Sequence, residues 1–176
     1  MKNHSLRTFL IAGPLTILLG RVLTIATLSL ALSGIVAAAD EVPFQGRLEG
    51  AFTTTPIDPT FFGVLLNARG NGSQLGQFTL VMPHIVNSTT GTAIGSIKFK
   101  TNNGDTLTAD FTGVGSPTAT PGVFSIVDTA FISGGTGRFA GATGSFKFES
   151  LVDFTKRSTT SSFDGTISSP GAKHAR

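Results

Sequence analysis

The sequence predicts an all-β fold, an eight-stranded antiparallel β-barrel preceded by a signal peptide. Three observations carry this. Apolar residues recur at every second position in short runs, the period of a half-buried strand. Turns rich in Gly, Asn and Pro separate the runs at even spacing, as in sandwiches and barrels. Glycines also lie inside the runs, at Gly46, Gly50, Gly95, Gly113 and Gly165. They weaken a flat strand but suit a sheet that bends sharply to close. Closure hides the edges that strands rich in Phe and Thr would otherwise present to other chains.

Residues 1–39 read as the signal peptide. A basic start (Lys2, Arg7) precedes apolar stretches interrupted by Arg21, and Ala37-Ala38-Ala39 forms a small-residue cleavage site. Cleavage after Ala39 leaves a domain over residues 40–168 and a flexible tail over 169–176. The address this implies is secreted, periplasmic or cell-surface.

The first strand carries Val42, Phe44, Leu48 and Phe52 on one face and Gln45, Arg47 and Glu49 on the other. A loop with Pro56 and Pro59 leads to a second, well-buried run over 61–69. Gly70-Asn71-Gly72-Ser73 turns the chain into a third strand over 77–86, where Pro83 predicts an edge or a bulge. Ala93, Gly95, Ile97 and Phe99 face one way in the fourth strand, with Lys98 and Lys100 opposite. Asn103-Gly104 tolerates the positive φ of a tight hairpin and leads to Leu107, Ala109, Phe111 and Gly113 in the fifth. After a Pro/Thr loop, 123–132 is the sixth strand. A glycine-rich turn follows, then Phe146, Phe148, Ser150, Val152 and Phe154 in the seventh, and 162–168 as the eighth.

Composition excludes several kinds of chemistry. The chain has 176 residues and no cysteine, so it has no disulfide, thiolate nucleophile or Cys-based metal site. Its net charge of +3 belongs to the leader. Removing Lys2, Arg7 and Arg21 from thirteen basic residues leaves ten against ten acidic ones, a net of zero. No nucleic-acid partner is therefore expected, and no membrane partner once the leader is gone. All fifteen aromatic residues are Phe, which buries apolar area without a polar handle.

Gly135-x-Gly137-x-x-Ala140 matches a relaxed dinucleotide fingerprint, but a strand follows it where the fingerprint needs a helix. No cofactor is expected. His84 reads as a surface or turn residue beside Pro83, and His174 falls in the tail, so neither a metal site nor a Ser-His-Asp triad is specified. Glu49, Asp110 and Asp153 oppose apolar faces and belong in solvent. Asp128 is different. It shares a face with Phe124, Ile126, Ala130 and Ile132, and the other face carries Val123, Val127 and Phe131. If the first face is buried, Asp128 enters the barrel with a raised pKa and can serve as an acid or base. If the second is buried, it is solvated. No catalytic set follows otherwise; candidate ligand contacts are Phe124, Asp128, Phe146 and Phe148.

Gly134-Gly135-Thr136-Gly137-Arg138-Phe139-Ala140-Gly141-Ala142-Thr143-Gly144 resembles the GG[ST]G-x-F-x-G-A-x-G signature of the allene oxide cyclase-like barrels, and dirigent proteins carry a related segment. Asp40-Glu41-Val42-Pro43-Phe44 is similar to the first strand of plant allene oxide cyclases. The resemblance implies an eight-stranded barrel, often a homotrimer, with an apolar cavity. It implies structural roles for Gly134, Gly135, Gly137, Phe139, Gly141 and Gly144. Plant cyclases close a ring in a fatty-acid epoxide; dirigent proteins orient phenolic radicals. The interior Tyr and Cys of the cyclases have no counterpart here, since the chain contains neither residue. The functional expectation is an exported barrel that binds a small apolar ligand or self-associates. The alternatives are a cyclase- or dirigent-type activity and a structural cell-surface module.

Overall fold

The computed structural model describes residues 40–168. The expected signal peptide (1–39) and tail (169–176) lie outside the described residues. The strands are β1 (Val42–Pro56), β2 (Phe61–Gly72), β3 (Gly76–Asn87), β4 (Thr92–Thr101), β5 (Thr106–Pro117), β6 (Val123–Gly135), β7 (Thr143–Asp153) and β8 (Ser158–Ser168). One turn of 3₁₀-helix, Gly137–Phe139, joins β6 to β7. Each strand pairs antiparallel with the next, and β8 pairs with β1, so the sheet is a closed barrel. All eight expected strands are present, most of them longer than the apolar runs suggest.

Closure corrects the reading of Pro83. It lies on no edge, because β3 is hydrogen-bonded to β2 and β4. The β3–β4 pairing resumes in the same register on either side of it, at Val81↔Lys98 and His84↔Gly95. Proline lacks only the N–H donor, and its ring lies on the exposed outer face.

Alternation decides which side chains enter the barrel. Phe78, Leu80 and Met82 of β3 point inward, as do Leu107, Ala109 and Phe111 of β5. On β6 the inward set is Asp128, Ala130 and Ile132, while Val127 and Phe131 are exposed. That settles which face of β6 is buried.

The interior has two unlike halves along the barrel axis. One is solid. Phe44, Phe78, Phe99, Phe146 and Phe163 pack edge-to-face or tilted, with Phe44–Phe163 centroids 4.8 Å apart and Phe78–Phe99 5.2 Å apart, and Phe148 stacks parallel to Phe163 at 6.2 Å. Such pairs add to their burial energy because ring edges and faces carry opposite partial charge. Inward glycines make the room. A β carbon on Gly46 would lie 2.5 Å from the Phe163 ring, and one on Gly70 2.8 Å from the Phe78 ring. The strand glycines therefore admit large neighbours as well as permitting curvature.

This half is closed at its end by the β2–β3, β4–β5 and β6–β7 connections. Leu75, Phe139 and Ala142 are buried there. Arg138 ties the three connections together: Nη2 donates to the Leu75 carbonyl (3.2 Å), Nε lies 3.6 Å from Asp105 Oδ2, and the guanidinium lies over the Phe139 ring. Gly137 is required twice at this point. Its φ is +59°, and a β carbon would lie 1.8 Å from Asp105 Oδ1.

Candidate functional site

The opposite half of the barrel is not filled. Its end is formed by the β1–β2, β3–β4, β5–β6 and β7–β8 connections, and a cavity of about 290 Å³ opens there. The wall is mostly apolar: Phe52, Val64, Met82, Ile126 and Val152 are representative. At the rim, Phe154 just after β7 packs its ring against Phe52 (5.2 Å), Phe124 (5.4 Å) and Phe62 (6.5 Å). Its backbone N–H is held by the Gly122 carbonyl at 2.9 Å. Four aromatic rings from three strands and a turn thus frame the mouth.

Asp128 stands in this wall and is 2% exposed. Its neighbours across the sheet are Gly113 of β5 and Phe148 of β7. Gly113 gives the carboxyl its seat, since a β carbon there would lie 1.7 Å from Oδ1. Oδ1 is buried and has no hydrogen-bond partner among the described residues. Loss of water disfavours the charged form, and burial pushes the pKa from 3.8 up to about 7.

His84 also lines the cavity, which corrects its reading as a surface or turn residue. It has the same parity as Phe78, Leu80 and Met82, and alternation carries it inward whatever Pro83 does beside it. Nδ1 meets the Met82 carbonyl at 3.2 Å, and the ring stands edge-on to Phe111 at 5.6 Å. Burial lowers its pKa, partly offset by that hydrogen bond. Further round the wall, Ser150 and Ser161 share a hydrogen bond (2.7 Å), Thr159 lies 3.3 Å from Ser161, and Thr159 donates to the Leu151 carbonyl at 3.1 Å.

Of the candidate ligand contacts, the structure brings Phe124 and Asp128 to the cavity. Phe146 and Phe148 lie instead in the solid half, 2% and 0% exposed, because their positions on β7 fall nearer the closed end. The glycine-rich segment is remote from the cavity. Gly134 and Gly135 end β6, Phe139 fills the plug, and Gly137, Gly141 and Gly144 adopt positive φ. Among the described residues, no three His, Asp or Glu side chains come together as metal ligands.

These features define a class: a closed eight-stranded antiparallel barrel, plugged at one end and open at the other onto an apolar cavity with a buried carboxyl. The fold is that of the dirigent proteins. Among solved structures, the pterocarpan synthase dirigent protein GePTS1 superposes with a TM-score of 0.53 at 16% identity, over 73% of this chain and 89% of that one. The pterocarpan synthase dirigent protein PsPTS1 gives 0.49 at 14% identity, over 74% and 96%. No protein-family model matches the sequence, and no curated protein matches it.

Proposed function

We propose that the protein is an exported barrel that takes a small, mostly apolar molecule into its open end. The observation that carries this reading is the cavity: about 290 Å³ walled by apolar side chains, with one buried carboxyl set into the wall. Ligand sites are typically concave, largely apolar and oriented by a few polar groups. This one lies at the small end of the usual size range, so its occupant is small. Export is supported by the basic, then apolar leader with its small-residue cleavage site. Self-association is supported by the outer wall of β2–β4, where Leu65, Ile85 and Ile94 are exposed.

Native mass spectrometry of protein purified from its own host tests the proposal. The expected result is a chain beginning at Asp40 that carries a small-molecule adduct, absent from an Ala93→Phe variant whose new ring fills the cavity. A bare wild-type protein would overturn it. The same spectrum reads the oligomeric state.

A second reading is a dirigent-type stereocontrol protein or an isomerase. The observation that favours it is the presence of Asp128 and His84 in one cavity, an acid and a base shifted by burial. In that case Asp128→Asn abolishes turnover of the retained molecule without abolishing its retention.

A further inference from the structure

Apart from the Asn87 amide, where β3 ends, the polar groups of the cavity are one-sided in their hydrogen bonding. A carbonyl only accepts, so the His84–Met82 contact requires the proton on Nδ1. The lowered pKa keeps the ring neutral, which leaves Nε2 as an acceptor. Asp128 is an acceptor whenever ionised, and its Oδ1 has no partner among the described residues. The Thr159 hydroxyl proton is already given to the Leu151 carbonyl, and Ser150 is engaged with Ser161. Among the described residues, no Lys or Arg lines the space. The titratable groups facing it are Asp128 from β6 and His84 from β3; the other six strands and the mouth connections contribute none.

A ligand whose polar atoms only accept would have the Asn87 Nδ2 amide to pair with at the end of β3, and no donor beside the ionised Asp128 and neutral His84. A neutral donor would satisfy one acceptor. A cation would satisfy the carboxylate by charge and by hydrogen bond together, which is about twice as strong as a neutral pair. Burying an ion pair ordinarily carries the desolvation of both partners. Here the fold has already removed water from Asp128, and binding adds the desolvation of the ligand alone.

We infer that the molecule this cavity takes is an apolar amine, bound as its ammonium ion against the Asp128 carboxylate. Its hydrocarbon body lies against Phe52, Met82, Ile126 and Val152. This inference rests on the binding function proposed above and names the ligand class.

Calorimetric titration of the processed protein at pH 8 with 1-adamantanamine, 1-adamantanol and 1-adamantanecarboxylate tests it. The three probes share one compact apolar body and differ in the polar group. The amine is expected to bind about tenfold or more tightly than the alcohol, the scale of one hydrogen bond to a charged group. The carboxylate binds weakest. Asp128→Asn should bring the amine level with the alcohol. In the wild type, lowering the pH to 5.5 should do the same as Asp128 takes up its proton, a readout that needs no variant. Equal binding of amine and alcohol by the wild type at pH 8 overturns the inference and leaves the apolar cavity standing. So does an amine preference that survives both Asp128→Asn and low pH. If none of the probes binds, the inference and the binding function fall together.

Discussion

The Asp128 carboxyl occupies the space that Gly113 leaves open on the neighbouring strand, with the position of a Gly113 β carbon only 1.7 Å from Oδ1. Gly113→Ala therefore forces the carboxyl out of its seat. The expected cost is about 1–3 kcal/mol, the usual range for overpacking a filled site. Asp128→Ala removes the obstacle. In a double-mutant cycle followed by urea unfolding, the second change should recover about 1 kcal/mol or more of that loss. Simple additivity would show that the two residues do not compete for one space.

The buried carboxyl also sets a pH dependence. Folded, Asp128 holds its proton up to about pH 7; unfolded, it releases it near 3.8. Between those values the folded state binds more protons, so stability falls as pH rises and levels off above about 7. At about 1.4 kcal/mol per unit, the full drop is about 4 kcal/mol. Asp128→Asn should be more stable than the wild type at pH 8, with the difference shrinking as pH falls towards 4. His84 acts in the opposite sense. Its lowered pKa removes stability as pH falls below 6.5, and this cancels in the comparison. Parallel wild-type and variant curves from pH 4 to 8 would refute the assignment.

The two halves of the interior should respond differently to truncation. Phe163 is buried among Phe44, Phe146 and Phe148. Phe163→Ala should cost about 3–5 kcal/mol in denaturant unfolding. Phe154 is 36% exposed at the rim. Phe154→Ala should cost under about 1.5 kcal/mol, since only part of the ring's burial is lost, and should speed dissociation of any bound probe. A larger stability loss at Phe154 than at Phe163 would contradict the division into a solid half and an open one.

At the plug, Gly137→Ala meets both a left-handed backbone and the Asp105 carboxylate. A loss of about 1–3 kcal/mol is expected from the backbone conformation alone. Asp105→Ala in the same chain should return only the steric part. Thermal unfolding of the single and double variants separates the two contributions.

Much of this was legible in the sequence. Period-two runs mark eight strands, and glycines at inward positions mark closure. What stayed hidden depends on position along the barrel axis and on register. Alternation places Phe124, Phe146 and Phe148 inside but does not say how far each lies from the plug, so the two in the solid half look like cavity contacts. A neighbouring Pro83 makes His84 resemble a turn residue, although its parity on β3 carries it inward. The neighbours of Asp128 depend on one extra residue. Thr108 pairs with Gly134 and Ala109 with Ile132, so Ser133 is a bulge. Without that shift Asp128 would face Val114, an outward residue, in place of Gly113. No local pattern in the sequence announces such a bulge.

The seam between β1 and β8 has a consequence for engineering. Val42 and Ile167 are register partners, so the first and last strands meet side by side. The order in which the chain visits the strands is then incidental to what they enclose. A circular permutant with a short linker across that seam and new termini at the exposed Gly104 hairpin would rebuild the same interior from a different starting point.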